Sequence, residues 1–256
     1  YTVPLAAFIS FSSSGIGTYA AVIYAFVVLP ILDMVLGKNE TNLGDAERNN
    51  KAINTLFDWM LYINLPIVFG LMSYGLFQVT IQSYTASEWI GLSLSAGILL
   101  ATNGINVAHE LGHRQSLLER TMSKILYIPC LYMHFYIEHN FGHHMKVATP
   151  EDGATAKYNQ SVYAFWIRSI SKQYVDAWKK QFELLSIKNH SFFSIYNDML
   201  WYHLIQPLYL LAILVLFSQT AMLFAIAAGV ISFLFLECIN YIEHYGLLRY
   251  KTPSGR

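Results

Sequence analysis

Long apolar runs constrain this chain more than any other feature of its sequence. Five segments that are long enough to cross a bilayer carry almost no charge, and they lie at approximately 17–36, 59–81, 89–108, 200–217 and 221–242. About 20 apolar residues in a helix cross the hydrocarbon core, where only helices and closed barrels satisfy their backbone groups. Charged residues make up 12% of the chain, whereas soluble domains contain about 25%. We therefore predict an all-α, polytopic transmembrane helix bundle.

The two remaining regions complete the predicted architecture. Residues 1–13 open on the apolar stretch "YTVPLAAFISF", which predicts part of a further span. Because the sequence begins with Tyr1 and not Met, we expect the natural chain to begin earlier. Residues 109–199 contain no apolar run of spanning length, and they are predicted to form a metal-binding and cap region outside the bilayer. The whole chain is thus interpreted as one integral-membrane domain of about six spans, the first of them partial.

The positions of the basic residues predict an orientation. Lysine and arginine are absent from 82–88 and 217–221, and they are concentrated in 109–199, with others in 37–58 and 244–256. Loops on the cytoplasmic side carry an excess of lysine and arginine. This rule places the three basic segments in the cytoplasm and the two short loops outside. The net charge of zero excludes a strongly basic nucleic-acid-binding surface.

A first pair of histidines follows the third of the full-length runs, in the stretch "NVAHELGHRQ". His109 and His113 are four residues apart, so a helix that continues there places both imidazoles on one face, within reach of one metal. The same His-Glu-x-x-His pattern is found in zinc peptidases, in which Glu110 would act as the base. Two histidines that merely solvate the end of a helix are the remaining interpretation.

A second group of histidines lies in "IEHNFGHHMK". His139 and His143 repeat the spacing of four residues, and His144 lies about 100° further around a helix. Adjacent histidines that point in different directions can serve two different metals. Imidazole is a common ligand for iron, copper and zinc, so we predict that these three residues are metal ligands.

A single histidine, His244, lies at the inner end of the last apolar run, in "ECINYIEHYGLLR". The predicted topology brings it to the same membrane face as His109 and His113. Six candidate ligands exceed the four that a zinc ion takes, so two metals are predicted. Neighbouring groups that would orient the ligand imidazoles are expected at such a site, and the candidates are Glu110, Glu138, Glu243 and His134. His190 and His203 have no partners in the sequence pattern and are predicted not to be ligands.

The segments "HELGHR", "EHNFGHHMKVATPEDGATA" and "NYIEHYGLLR" occur in this order with apolar spans around them. With these motifs the chain, from its first full span to Arg256, resembles the membrane-bound alkane 1-monooxygenases, a family of non-haem di-iron oxygenases. The resemblance implies a multi-pass enzyme of the bacterial inner membrane with its active site toward the cytoplasm. It implies two iron ions, dioxygen as co-substrate and rubredoxin, with rubredoxin reductase, as electron donor. The implied reaction converts the terminal methyl group of an n-alkane to a primary alcohol.

Carried over by motif, the iron ligands implied by this resemblance are His109, His113, His139, His143, His144 and His244. The family continues to a further cluster of the form His-Ser-Asp-His-His, which supplies more ligands, whereas the present sequence stops at Arg256. We expect that this is a shortened form of the chain. Without the further cluster, the chain is expected to hold iron weakly.

An apolar substrate that arrives from the membrane must be positioned by shape, because an unactivated methyl group offers no polar handle. Small residues on the first full span, Ala21 and Ala25, would permit a deep channel, and Phe26 would limit its depth. The main alternative function is that of a related membrane di-iron desaturase or hydroxylase with a fatty-acyl substrate. A membrane zinc peptidase and an ion transporter are further alternatives.

Overall fold

The computed structural model describes residues 1–37, 44 and 54–249, and within these ranges the regular secondary structure is entirely helical. This confirms the predicted all-α class. Most of the predicted basic segment 37–58 and the end of the segment 244–256 lie outside the described residues. The helices are, in order, α1 (Thr2–Phe11), α2 (Gly15–Leu36), α3 (Thr55–Ile81), α4 (Ala86–Gly112), α5 (Leu117–Leu126), α6 (135–146), α7 (Val162–Ile187), α8 (Asp198–Leu216) and α9 (Gln219–His244).

Five of the described helices, α2, α3, α4, α8 and α9, are long and apolar enough to cross a membrane. Each of them coincides with one of the five predicted apolar runs, to within a few residues at either end. The segment predicted as a partial span forms α1, an apolar helix of 10 residues. These helices make the chain an integral membrane protein.

Helix α4 lies at the centre of the bundle. In its most apolar 18-residue window, 67% of the residues are buried inside the protein, compared with 6% for α2. It packs against α9, α1 and α2. At the contact with α9, an added Cβ on Gly97 would lie 2.2 Å from Cγ2 of Ile231. Small residues let membrane helices approach this closely, and the close approach supplies the dispersion contacts that hold them together.

The close contact at Gly97 yields a stability prediction. Gly97→Ala is expected to destabilise the bundle by about 1–3 kcal/mol, because the new methyl group overlaps Ile231 and must displace it. The midpoint of thermal unfolding in detergent should therefore fall. Gly70 of α3 is a matched control, since nothing lies within 4 Å of a Cβ built there. Gly70→Ala should leave the midpoint unchanged or raise it, and equal midpoints for both variants would contradict the packing argument.

The start of α4 is fixed by a capping box. The Thr85 hydroxyl accepts a hydrogen bond from the Glu88 backbone N–H, and the Glu88 carboxylate accepts one from the Thr85 N–H at 2.9 Å. This reciprocal pair satisfies backbone donors that the first turn of a helix leaves free. Glu88 also accepts a hydrogen bond of 2.6 Å from the backbone N–H of Gly15. The cap therefore ties the start of α2 to the start of α4.

The region between α4 and α8, residues 113–197, is described in full and contains no helix that is both long and apolar enough to cross a membrane. The end of α4 and the start of α8 therefore lie on the same side of the bundle. A short turn joins α8 to α9, so the last residues of α9 return to that side. Helix α7 is not a candidate span, and it packs through Phe165, Ser169 and Gln173 against α6 and α9. This arrangement gathers all three histidine-bearing segments at one end of the bundle.

Candidate metal centre

The first two candidate ligands lie where α4 leaves the apolar core. A π-helical turn, Leu100–Ile105, precedes the final α-helical segment Asn106–Gly112. His109 lies on this segment and His113 is its C-terminal cap. Their Nε2 atoms are 3.1 Å apart. The spacing of four residues thus brings the two imidazoles together, as the helical pattern predicts.

Four imidazoles converge on one point, and we call them the four-histidine group: His109, His113, His139 and His144. Five of the six Nε2–Nε2 distances among them run from 2.7 to 3.3 Å, and the four ligand nitrogens all lie within 4.8 Å of one another. Two nitrogens bound to one tetrahedral ion at about 2.1 Å would be about 3.4 Å apart. A small outward rotation of the rings is therefore enough to admit one metal ion, so the donor set fits a metal.

The geometry of α6 decides which histidines join this group. Residues His139–His143 form a π-helical turn between two short α-helical segments, Phe135–Glu138 and His144–Lys146. The wider turn brings Nε2 of His144 to 2.9 Å from Nε2 of His139, whereas the His143 ring stacks on that of His139 with centroids 5.4 Å apart. The sequence spacing had paired His139 with His143 on the assumption of a regular α-helix. Single π-helical turns inside α-helices occur frequently at functional sites.

The surroundings of His139 and His144 favour the neutral form of imidazole, which binds metals. Burial, and then the neighbouring imidazoles, lower the pKa of His139 far below its ordinary value. Burial followed by His113 and His143 lowers the pKa of His144 as well. A metal competes with the proton for the same nitrogen, so a depressed proton affinity removes that competition at neutral pH.

His143 faces a different set of partners. Its Nδ1 lies 3.0 Å from Oδ1 of Asp152, and its ring centroid is 5.1 Å from that of His244. The predicted ligand of α9 therefore meets the second histidine cluster, as the topology predicts. A hydrogen bond through Nδ1 leaves Nε2 of His143 available for a metal. The pair offers two ligands for a second ion next to the four-histidine group.

Asp152 is a site residue that the sequence pattern did not single out. It is 2% exposed, and its other oxygen accepts a hydrogen bond of 2.5 Å from the Thr155 hydroxyl. Burial opposes ionisation of this carboxyl, but the hydrogen bonds from His143 and Thr155 outweigh burial and hold its pKa below the ordinary value. In return, although burial opposes it, the hydrogen bond to Asp152 raises the pKa of His143. The pair is the carboxylate–histidine arrangement that fixes an imidazole's tautomer and direction.

The predicted orienting residues occupy other positions. Glu110 is half-exposed and pairs with Arg114 at 3.1 Å, and Glu243 lies at the surface. His134 is half-buried between Tyr132 and Tyr174, outside the four-histidine group. Glu138 is 3% exposed, and burial raises its pKa to about 8. Among these candidates, none has a hydrogen bond to a ligand histidine in the described structure.

A second carboxylate missed by the sequence pattern is Glu237 of α9, which is completely buried. It accepts hydrogen bonds from the Tyr132 hydroxyl at 3.1 Å and from Gln173 Nε2 at 2.8 Å. These bonds connect α9 to α7 and to the segment that precedes α6. They hold together the three segments that surround His143. The only sequence signal was an acidic residue inside an apolar run, and such residues are typically functional or paired.

The remaining predicted positions are distributed as follows. On α2, Ala21 is fully buried, Ala25 is half-buried, and Phe26 is 57% exposed and stacks on Phe235 of α9. The assignment of these residues to a substrate channel stays a prediction.

His190 stacks on Tyr196, and His203 contacts the Tyr174 hydroxyl at 2.7 Å. Neither histidine belongs to the four-histidine group, and that they are not ligands stays a prediction.

Comparisons with known proteins point to one family. The fatty acid desaturase family model matches residues 86–256, the part that carries every predicted ligand. The chain is 34% identical to the alkane 1-monooxygenase of Ectopseudomonas oleovorans over 89% of its own length and 57% of the relative's. It is 33% identical to alkane 1-monooxygenase 1 of Alcanivorax borkumensis, covering 90% of this chain and 56% of that protein. For alkane 1-monooxygenase 2 of the same organism the identity is 30%, over 99% of this chain and 67% of the relative. The chain thus spans a little over half to two thirds of the length of these relatives.

Proposed function

The chain belongs to the fatty acid desaturase family and, within it, to the alkane 1-monooxygenases, and from this membership we propose that it hydroxylates n-alkanes within a membrane. The observation that carries the proposal is the convergence of four imidazoles at one end of an apolar helix bundle. The proposed reaction takes place at the terminal carbon and gives a primary alcohol. The proposed setting is the bacterial inner membrane, with the histidines toward the cytoplasm and rubredoxin, reduced by its reductase, as electron donor.

We assign the ligands to two iron ions by their positions. The four-histidine group would hold one iron, and His143 and His244 would contribute to the second. When bound, the irons would supply the reductive activation of dioxygen that oxidation of an unactivated carbon requires. Asp152 holds Nδ1 of His143, so that the opposite nitrogen faces the second position. Burial of His139 and Glu138 keeps bulk water away from this side of the site.

A zinc peptidase is disfavoured by two features of the same geometry. A catalytic zinc keeps three protein ligands and an open position for water, whereas four imidazoles converge here. A peptidase also needs the glutamate of the His-Glu-x-x-His pattern as its base, and the Glu110 carboxylate is instead paired with Arg114 at the surface. Both features support an oxygenase site.

Fatty-acyl oxidation is the second candidate function, and the description of the matching family model favours it. Product analysis distinguishes the two functions. The purified protein, reconstituted with an excess of iron that offsets weak binding, should take up two irons per chain and, with rubredoxin and its reductase, convert octane to 1-octanol. If the protein instead introduces a double bond or hydroxyl group into an acyl lipid and leaves octane unchanged, its substrate is an acyl chain and not an alkane. One zinc per chain with amide hydrolysis would overturn both candidates.

Asp152 yields a prediction on metal affinity. Asp152→Asn is expected to lower iron affinity by about 10- to 100-fold, since loss of the carboxylate partner frees the tautomer and the orientation of His143. Iron competition with a chelator measures this effect directly. Asp176→Asn is the matched control, because Asp176 is a similarly buried carboxylate that pairs with Lys172 and Lys179 instead. Equal iron affinities in the two variants would contradict the orienting role of Asp152.

A further inference from the structure

A cavity of about 480 Å³ opens on the histidine side of the bundle, next to the metal-binding segments but separate from the four-histidine group. Its walls come from α5, α6, the end of α7 and the turn that precedes α8. Four basic side chains line it, namely Arg120, Lys124, Lys188 and His190, and one acidic side chain, Asp198. We call it the basic cavity.

The charges in the basic cavity are not balanced. Lys124 is paired with Asp198 at 2.5 Å, which neutralises the single acid. Arg120 and Lys188 are exposed and have no ion-pair partner among the described residues. Two cations therefore remain in a concave site, where low-dielectric walls concentrate their field. A guanidinium presents a planar fork of donors that matches a phosphate, and an ammonium adds a point charge.

The position of the basic cavity identifies a membrane boundary. Helix α4 ends at Gly112 and α8 begins at Asp198, and both ends lie on the same side of the bundle. Tyr196 and Trp201 flank the start of α8 and are both exposed. Tyrosine and tryptophan concentrate at the level of lipid headgroups. The basic cavity therefore opens at the depth where headgroups lie.

The rim of the basic cavity is apolar and outward-facing. Leu117 and Ile195, which both line the cavity, are 75% and 73% exposed, and Leu118 beside them is 64% exposed. Large exposed aliphatic groups beside a charged recess suit a ligand that has an acyl part and a charged part. A free inorganic anion would use the cations and leave this apolar rim in contact with water.

From these contacts we propose that the basic cavity binds the phosphate headgroup of an anionic membrane phospholipid, through Arg120 and Lys188, with the acyl chains against Leu117 and Ile195. Phe141 and Ile137 of α6 form part of its wall. The bound lipid would thus contact the helix that carries His139 and His144. This binding is independent of the reaction catalysed at the metal centre.

The test uses the full chain in neutral detergent, and it follows the thermal unfolding midpoint as a short-chain lipid is added, because a ligand that binds the folded state raises this midpoint. Dioctanoyl phosphatidylglycerol is expected to stabilise the protein. Dioctanoyl phosphatidylcholine and inorganic phosphate at equal concentrations are expected to do so far less. An equal response to phosphatidylcholine, or to phosphate alone, would overturn the assignment to an anionic lipid.

Variants test the assigned residues. A basic side chain near an anionic membrane surface contributes about a 5-fold gain in affinity. The double variant Arg120→Gln/Lys188→Gln should therefore raise the apparent Kd for phosphatidylglycerol by about 30-fold, whereas Arg120→Lys/Lys188→Arg should keep most of the affinity. The control Lys157→Gln/Lys179→Gln removes the same charge at exposed positions that do not line the cavity. If the first double variant does not fold, each single glutamine variant must weaken binding, and unchanged affinity in both refutes the proposal.

Discussion

His139→Ala is expected to remove iron from the four-histidine group and to abolish alkane hydroxylation. His139 is 8% exposed, and its Nε2 lies within 3.3 Å of the same atom in each of the other three members. Loss of a partner in the outer shell of a metal site costs about 10- to 100-fold in affinity, and loss of a central ligand should exceed this. Iron content and octane turnover of the purified variant measure the effect.

Two controls separate ligand loss from general damage. His190→Ala and His203→Ala remove imidazoles that stack on or bond to aromatic side chains elsewhere, and both variants should keep their iron. His139 also stacks on Phe135, with ring centroids 4.8 Å apart, so alanine leaves a cavity as well. His139→Gln fills more of that space, and it should still lose iron. Full iron content in either His139 variant would refute the assignment of the four-histidine group.

The bundle itself was predictable because each span carries its own signal. A run of about 20 apolar residues is a local property of the chain, and the bilayer permits few alternatives to a helix. The five predicted runs accordingly coincide with five described helices. The central position of α4 was less accessible to prediction. That position depends on which glycines lie against a neighbouring helix. Gly97 and Gly70 both lie in apolar runs, but of the two only Gly97 contacts another helix.

The grouping of the histidines was only partly predictable. His109 and His113 lie on a regular α-helical segment, so their spacing predicts their contact. His139 and His143 lie on a π-helical turn that ends just before His144, and this turn, which no spacing rule anticipates, brings His144 into the four-histidine group. The spacing of histidines along the chain identifies ligand candidates, but the backbone geometry decides which of them can share an ion.

Asp152 was missed for a different reason. It lies nine residues after its partner His143, in a segment that is not helical. The chain folds back there because Ala148 adopts a positive φ of 63° and its N–H donates to the Thr155 hydroxyl. A non-glycine residue with positive φ is uncommon, so the turn could not be read from residue type. The sequence pattern predicts orienting carboxylates beside the histidines, at residues such as Glu110 and Glu243, and not at a residue nine positions away.

The supply of electrons leads to the second large prediction. The proposed reaction consumes two electrons for each dioxygen, and the sequence contains two cysteines, Cys130 and Cys238. An iron–sulfur centre commonly requires four cysteine ligands. Cys130 is completely buried, and burial raises the pKa of its thiol well above the ordinary value, so it is held as an uncharged thiol. We therefore expect the electrons to come from a donor protein or domain that carries its own redox centre.

Rubredoxin with its reductase and NADH is expected to drive conversion of octane to 1-octanol, and omission of rubredoxin should reduce the rate to background. Lysines and arginines concentrate in residues 109–199, so a small acidic carrier should be steered to the histidine side by charge. Raising the salt concentration to about 0.5 M should then lower kcat/KM for rubredoxin by roughly 10-fold or more, because screening acts on encounter. The value of kcat at saturating rubredoxin should change little, since chemistry at the buried site follows docking. A salt effect on kcat alone, or turnover without any donor protein, would contradict charge-steered delivery of electrons to this face.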